Sequence, residues 1–427
     1  MISATVQPDT LEEKVIFWVI LMTWAMWVIG ALYFVAPLVG WTLVAISIAR
    51  RHGLAGDDAP YPERLPAGCW VWIAGMGTML VALLVGHLEL GAAQTLKSFM
   101  GWTKGWALIA LFVFIGATMK VRPAVIYRAS NLLAMQTLVM AVIMFIAGTM
   151  HLPTMQYISP LVVLGGTGQD FFNVELYKID TETLSARWNF FSPWAPAAGM
   201  IANVSLVFAL YDRDPVRKAA GVLASVAVCY MSQSRLAILV APVIGIVIIG
   251  LSNLTRPMVF SASTAASVAA LPFFDILIRM LEDAQDRFKT ARAASSRVRA
   301  TLQSIARHRW WNEAPIWGHG TVERGPHLVE FMPIGTHHTW NGLLFVKGMV
   351  GFTALAAPMA CSGVELMAKA QTDRAARAAL GVLLVIFIYT FAENMETLIY
   401  LFWPGMVIIG IALKRRFVQP FHFFMGR

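Results

Sequence analysis

The sequence predicts an all-α integral membrane protein with about twelve transmembrane helices and one large helical loop outside the cytoplasm. Of its 427 residues, 58% are hydrophobic and only 13% are charged, which is about half the charged share of a soluble domain. Apolar stretches of about 20 residues, the length that crosses ~30 Å of hydrocarbon, recur from one end of the chain to the other. The whole chain, residues 1–427, is therefore expected to form a single membrane domain.

Hydropathy sets the expected positions of the spans. We expect them at about 15–30, 32–49, 67–88, 105–118, 131–150, 191–210, 219–233, 236–251, 258–278, 339–361, 378–391 and 398–413. The first pair divides one long apolar run near Gly30 and Pro37, and the first span lacks the small-residue site of a cleavable signal. The two spans beside Arg235 lie so close together that ten or eleven spans also fit the pattern.

Basic residues predict the orientation of the chain. With both termini in the cytoplasm, 18 Lys and Arg residues fall on inner segments and only five on short outer segments, as the positive-inside rule requires. The long outer loop is left out of this count because long loops cross the membrane whatever their charge. The same bias and a basic outer loop account for the net charge of +9, so the expected partner is the lipid bilayer and not a nucleic acid.

Two outer segments, 151–189 and 279–338, are longer than connectors, and loops beyond about 15 residues are usually functional or disordered. Trp310, Trp311 and Trp317 lie in the second segment, and tryptophan favours the membrane–water interface. An amphipathic helix on the membrane face is predicted there, because apolar residues recur at roughly helical spacing: Leu281, Phe288, Val298, Leu302 and Ile305.

Histidines cluster in the second outer segment, which holds five of the nine in the chain. His337 and His338 are adjacent there, just before a predicted span. A neutral imidazole at the mouth of a membrane cavity can act as a general base. The alternative is that each histidine only hydrogen-bonds a carbonyl group or water at the interface. Neither HExxH nor CxxC spacing is present, so no metal ion and no cofactor are expected.

Two arginines on the outer side are candidates to bind an anion. Arg187 precedes the sequence Trp-Asn-Phe-Phe-Ser-Pro, and Arg235 ends the sequence Ser-Gln-Ser-Arg between two spans. A charge at such depth points to function, and a guanidinium pairs well with phosphate oxygens in a dry site. Alternatively, Arg235 anchors the end of its span at the interface. The loop arginines are expected to form a solvated or headgroup-facing stripe: Arg279, Arg287, Arg292, Arg297 and Arg299.

Two carboxylates, Glu393 and Glu396, lie in the short outer turn before the last predicted span. Such a pair can perform acid–base chemistry. Capping a helix or pairing with a loop arginine is the more ordinary role, so neither residue is counted among the expected site residues.

Several short motifs in combination resemble the O-antigen ligase and O-antigen polymerase superfamily. They are Ser232-Gln233-Ser234-Arg235 at a span start, Trp317-Gly318-His319-Gly320 in the large loop, and His337-His338-Thr339-Trp340 with Gly348 and Gly351 downstream. The spacing to Gly348 matches His337 to the family histidine, although His338 stands where the family usually has Asn. The resemblance runs from about Arg187 to Gly351, and the first 130 residues match in hydropathy only.

The resemblance implies a bacterial inner-membrane glycosyltransferase with a GT-C-like fold and a site that faces the periplasm. The donor would be a glycan on undecaprenyl pyrophosphate, and the acceptor a sugar hydroxyl. A ligase attaches the glycan to lipid A-core in lipopolysaccharide biosynthesis. A polymerase attaches it to a second lipid-linked glycan of O-antigen, capsule or exopolysaccharide. Neither enzyme needs a metal ion or a nucleotide sugar.

Residue roles follow from this chemistry. Cleavage of a sugar–pyrophosphate bond builds negative charge on the leaving group, which arginines must stabilise where no metal ion does. Arg187 and Arg235 are the expected pyrophosphate ligands, and His337 is the expected catalytic base, with His338 as the alternative. If His338 is not the base, we expect it and Trp340 to lie next to the site and to hold the residues of the site in position. Direct attack predicts inversion at the anomeric carbon, and the loop helix would roof the cavity.

Three classes of function are compatible with the sequence. A glycan ligase is placed ahead of a polymerase, although the fold and the motifs are common to both. A transporter of lipid-linked oligosaccharides usually shows internal repeats and charges near mid-membrane, whereas no repeat is detectable here and polar residues gather on one side. A scaffold without chemistry would leave the placement of the arginines and histidines unexplained.

Overall fold

A computed structural model describes residues 6–54, 64–164, 168–180, 184–270, 279, 293–327, 332–335 and 337–415. Most of these residues are helical, in agreement with the all-α prediction. The helices are α1 (Leu11–Leu21), α2 (Thr23–Val28), α3 (Leu32–Arg51), α4 (Ala67–Gly86), α5 (Ala92–Lys104), α6 (Trp106–Thr118), α7 (Pro123–Thr149), α8 (Ala195–Tyr211), α9 (Pro215–Met231), α10 (Arg235–Leu251), α11 (Pro257–Ala270), α12 (Ala293–Glu313), α13 (Thr339–Ala370), α14 (Arg374–Tyr389) and α15 (Met395–Lys414).

Within the described residues, six helices are long and apolar enough to cross a membrane, when α5 and α6 are taken as one stretch. The others are α3, α4, α7, α13 and α15, and the shorter α8 and α10 are also apolar. This is the composition of a multi-pass membrane protein. The count of twelve spans stays a prediction, because the other described helices do not meet the length and hydropathy requirement.

Helix α5 is an element that hydropathy did not predict, since residues 92–104 were expected to be an outer connector. None of its residues is buried, and Leu96, Phe99 and Met100 are exposed. It ends at Gly105, where the backbone turns before α6 begins. Because its apolar and polar residues fall on different faces, it has the pattern of a helix that lies along an interface.

The segment between α7 and α8, which was expected to be a loop, contains two short antiparallel sheets. Strands β1 (Met155–Ile158) and β2 (Asn173–Glu175) form one, and β3 (Lys178–Ile179) and β4 (Ala186–Arg187) form the other. In the second sheet Lys178 lies opposite Arg187. This hairpin fixes the position of Arg187, one of the predicted site residues.

Helix α15 lies at the centre of the bundle, with 83% of its apolar stretch buried. It packs backbone to backbone against α6. A Cβ added at Gly116 would lie 2.1 Å from the carbonyl oxygen of Val407, and one at Gly410 would lie 2.1 Å from that of Val113. Small residues allow membrane helices to approach this closely, and Gly75 of α4 faces the backbone of α13 in the same way.

The helix predicted in the large loop is present as α12, which is described over Ala293–Glu313. Val298 and Ile305 are half-buried on its inner face, whereas Leu281 and Phe288 lie outside the described residues. The helix packs on the start of α13 through a small cluster that is separate from the main core: Leu302, Ala306, Ile334 and Phe345. This packing fixes α12 against the start of α13.

Candidate functional site

The two predicted anion ligands, Arg187 and Arg235, line the same cavity, which has a volume of about 460 Å³. Strand β4, the start of α10, helix α12 and the turn between α14 and α15 all contribute to its walls. Its charged lining residues are Arg187, Arg235, Arg299 and Glu393. We refer to it below as the arginine cavity. Three guanidinium groups beside one carboxyl group make it a strongly basic compartment.

Arg187 is held in place by the elements next to strand β4. Its Nε donates a hydrogen bond to the carbonyl oxygen of Ser232 at 2.8 Å, and its Nη1 lies 3.6 Å from Oδ2 of Asp180. The guanidinium is therefore fixed between the β3–β4 hairpin and the turn that precedes α10. Such a preorganised cation can bind an anion with little loss of side-chain entropy.

Arg235 is the first residue of α10 and follows a turn with an unusual backbone. Gln233 has a φ of +49°, a conformation that is uncommon for residues other than glycine. Its Nε2 donates to the carbonyl oxygen of Ala186 at 3.1 Å, and Ser234 caps α10 through its side-chain oxygen. The Ser-Gln-Ser-Arg sequence thus starts the helix and brings Arg235 to the same cavity as Arg187.

Glu393 contributes the carboxyl group of the cavity from the turn between α14 and α15. It is only 3% exposed, and Nε1 of Trp194 donates to its Oε2 at 2.7 Å. Burial raises the pKa of Glu393 to about 7, although Arg299, the Trp194 hydrogen bond and Arg187 act in the opposite direction. Asn394 caps α15, so the capping role considered for Glu393 is wrong, and a loop arginine is its neighbour instead.

Arg299, which is expected from sequence to belong to a solvated or headgroup-facing stripe, is half-buried and lines the arginine cavity. Its neighbour Arg297 is exposed, as expected. The signal that distinguishes them is helical phase: Arg299 lies three residues before Leu302 and seven before Ala306, on the buried face of α12. Arg279 is exposed, and the remaining arginines of the predicted stripe, Arg287 and Arg292, lie outside the described residues.

The two adjacent histidines have different surroundings. His337 is half-buried close to Arg299, and burial, with a further contribution from the charge of Arg299, lowers its pKa to about 4. His338 is the N-cap of α13, where its Nδ1 accepts a hydrogen bond from the Asn341 amide at 3.3 Å. Burial and the charge of Arg307 also lower the pKa of His338. Because His338 is engaged in the cap, His337 is the better candidate base.

A hydrogen-bond network joins the histidine segment to the turn that carries Glu393. The Thr339 hydroxyl donates to the Glu393 carbonyl oxygen at 2.5 Å and accepts from the Met395 amide at 3.1 Å. Nε1 of Trp340 donates to Oγ1 of Thr390 at 2.7 Å. Thr339 and Trp340 therefore fix the start of α13 against the end of α14, which places the His337 segment and Glu393 in one rigid unit.

The glycines of the two short motifs pack against each other. Gly348 interrupts α13 with a φ of +61°, and Gly318 has a φ of +70°. A Cβ at Gly348 would lie 2.2 Å from the Ile316 carbonyl oxygen, and one at Gly318 would lie 2.5 Å from the Lys347 nitrogen. Loop and helix are joined by backbone hydrogen bonds of 2.8–2.9 Å: His319 N to Phe345 O, Gly320 N to Val346 O, and Met349 N to Pro315 O. The loop thus satisfies polar groups that the helix break leaves open.

Comparison with known proteins finds no matching family model and no matching curated protein. Among the described residues, no group of three or more His, Cys, Asp or Glu side chains is placed to hold a metal ion. The function is therefore inferred from the chemistry of the arginine cavity and its neighbours.

Proposed function

We propose that the protein is a glycosyltransferase that moves a glycan from a polyprenyl pyrophosphate, undecaprenyl pyrophosphate in bacteria, to a sugar hydroxyl at the outer face of the inner membrane. The observation that carries this proposal is the convergence of Arg187, Arg235, Arg299 and Glu393 on one cavity, beside His337. The cavity belongs to a chain with several membrane-crossing helices, which suits a substrate with a lipid anchor.

The three arginines have the chemistry to hold the pyrophosphate. Transfer breaks the bond between the anomeric carbon and the pyrophosphate oxygen, and the electron pair stays on the leaving oxygen. Fixed guanidinium groups stabilise this developing charge without reorganisation, and their paired N–H donors match phosphate oxygens. In the free protein Glu393 offsets part of the positive charge, and the arriving anion can replace it.

His337 has the chemistry to accept the proton of the attacking hydroxyl. Its lowered pKa keeps the imidazole neutral near pH 7, so its ring can take up a proton. A bound pyrophosphate would favour the protonated form, because an opposite charge within a few Å raises the pKa of a histidine. The acceptor oxygen bonds to the anomeric carbon as the leaving group departs from the other side, which inverts the configuration.

A ligase that attaches the glycan to lipid A-core is the first choice within this proposal, because the motifs resemble the O-antigen ligase superfamily. A polymerase of O-antigen, capsule or exopolysaccharide is the alternative. A transporter of lipid-linked oligosaccharides would use the same arginines to hold pyrophosphate but would form no product. The location in the inner membrane and the periplasmic face of the site belong to the same proposal.

An in-vitro transfer assay tests the proposal. The full-length protein in nanodiscs receives an undecaprenyl-pyrophosphate-linked glycan, with and without lipid A-core. A single core-linked product of inverted configuration by NMR supports a ligase, and a ladder of products without core supports a polymerase. Movement of the intact donor across vesicle membranes without any product would favour the transporter.

A further inference from the structure

A second cavity lies between α13 and α14, beside the arginine cavity. Its volume is about 680 Å³, and its lining is apolar except at one end, where His338 and Asn341 are found. We call it the apolar groove. Helix α13 is long and apolar enough to cross a membrane, and α14 is an apolar helix that is mostly buried, so the groove runs along the apolar part of the bundle.

The groove exists because small residues of α13 face large apolar residues of α14. Ala356, Ala360 and Gly363 recur at helical spacing along one side. A Cβ added at Gly363 would meet its nearest neighbour, Leu383, at 3.9 Å, an ordinary contact, so no atom crowds this position. From Phe352 to Gly363 the helix rises about 16 Å, roughly half the thickness of the hydrocarbon layer.

The groove is continuous with the arginine cavity. Phe387 and Phe391 line both the groove and the arginine cavity. Their rings pack edge to face, with 5.3 Å between the ring centroids. The Phe391 ring also packs against the His338 ring, with 5.7 Å between the ring centroids. Its side chain is 51% exposed. The basic compartment therefore ends at this aromatic pair, and the apolar one begins there.

We propose that the apolar groove binds the pyrophosphate-proximal isoprene units of the donor while its pyrophosphate occupies the arginine cavity. This inference rests on the proposed function. A molecule with an anionic head and a long apolar chain matches two adjoining compartments of these polarities. Phe387 and Phe391 mark the position of the junction between the pyrophosphate and the first isoprene unit.

Photocrosslinking tests the occupant directly. The full-length protein in nanodiscs is irradiated with an undecaprenyl pyrophosphate analogue that carries a diazirine on an isoprene unit near the pyrophosphate. We expect label on residues 352–363 and 380–391, which unlabelled undecaprenyl pyrophosphate displaces and excess phospholipid does not. Label spread equally over α7 and α10, or displaced equally by phospholipid, would mean annular lipid only and would overturn the proposal.

A kinetic experiment with a matched control tests the groove in turnover. Gly363→Trp fills the groove, whereas Val364→Trp adds the same side chain next to it, at a residue that is 66% exposed and outside the groove. We expect Gly363→Trp to raise the KM for the undecaprenyl donor about tenfold, the effect of losing roughly two buried methylene groups. The KM for a donor with a geranyl chain, too short to reach Gly363, stays unchanged in both variants.

The outcomes separate the two proposals. An equal rise in KM for both chain lengths, or an equal effect of Val364→Trp, would overturn the groove assignment. Wild-type protein that transfers glycan from neither donor would refute the proposed function instead. The crosslinking experiment requires no transfer and then decides the occupant of the groove alone.

Discussion

Arg299 and Glu393 line the same cavity from two different elements, one on the loop helix α12 and the other in the turn between α14 and α15. The positive charge of Arg299 acts on the buried carboxyl group and opposes the effect of burial on its pKa. The two residues therefore couple the loop helix to the membrane bundle electrostatically. An anion that binds between them would compete with Glu393 for the guanidinium of Arg299.

Removal of Arg299 should weaken donor binding. We expect Arg299→Ala to raise the Kd for undecaprenyl pyrophosphate about tenfold or more, because a hydrogen bond to a charged group contributes about 1.5–3 kcal/mol. Binding is measured by isothermal titration calorimetry of the full-length protein in nanodiscs. Arg297→Ala, which removes an exposed arginine of the same helix, should leave the Kd unchanged. An equal rise in Kd in the two variants would show that Arg299 acts only through the net charge of the protein.

The pH profile of transfer tests whether the base is His337 or Glu393, the other titratable group of the site. The profile of kcat/KM reports groups of the free protein, and the pKa of His337 there is about 4. With His337 as the base, kcat/KM should stay level between about pH 6 and pH 8 in Glu393→Gln, whereas in wild type it should decline above about pH 7, because ionised Glu393 then competes with the donor anion for the arginines. With Glu393 as the base, kcat/KM would fall about tenfold per pH unit below its pKa of about 7, and Glu393→Gln would be inactive.

Glu393 should make the stability of the protein depend on pH. Its pKa is raised from 4.5 to about 7 in the folded protein, so the stabilising contribution of the neutral carboxyl group is complete below 4.5 and is lost as pH rises through 7. Glu393→Gln, which stays neutral, should therefore raise Tm over wild type more at about pH 8 than at about pH 5. Thermal unfolding in detergent measures both differences. A difference that is the same at the two pH values would contradict the assigned burial of the charge.

The break in α13 should tolerate only glycine at residue 348. Gly348→Ala places a Cβ 2.2 Å from the Ile316 carbonyl oxygen, at a φ of +61°. Strained backbone of this kind costs about 1–3 kcal/mol before the clash is counted, so Tm should fall clearly. Gly77→Ala is the control, because a Cβ at that helical glycine meets no atom within 4 Å. An unchanged Tm for Gly348→Ala would mean that the loop is not held at this break.

Hydropathy predicted much of the helical framework, because membrane helices require long apolar stretches. Helix α5 and the two small sheets were missed for the same reason. Residues 92–104 are too polar to register as a span, and the strands of 151–189 are only two to four residues long. Their positions depend on contacts with neighbouring helices, such as the hydrogen bond from Trp102 Nε1 to the Met76 carbonyl oxygen, which local sequence does not encode.

The candidate site was predicted in part. Arg187 and Arg235 were singled out because charges near membrane spans are costly, and they do line one cavity. Arg299 was missed because it sits among other loop arginines, and only the phase of α12 distinguishes it. The sequence does not identify Glu393 as a site residue, because a carboxylate just before a helix usually caps it. In the structure the helix starts one residue later, and Asn394 is the cap.

The most direct test of the central claim is the rate of a single turnover with an undecaprenyl-pyrophosphate-linked glycan and its acceptor, in His337→Ala beside His308→Ala. His308 is an exposed histidine of α12 and serves as the matched control. If the arginine cavity is a transferase site with His337 as its base, His337→Ala loses about a hundredfold or more in rate, while its Kd for undecaprenyl pyrophosphate and the rate of His308→Ala stay at the wild-type level. Wild-type turnover that persists in His337→Ala would contradict the assignment of the base, and the absence of transfer by wild type with either acceptor would contradict the glycosyltransferase itself.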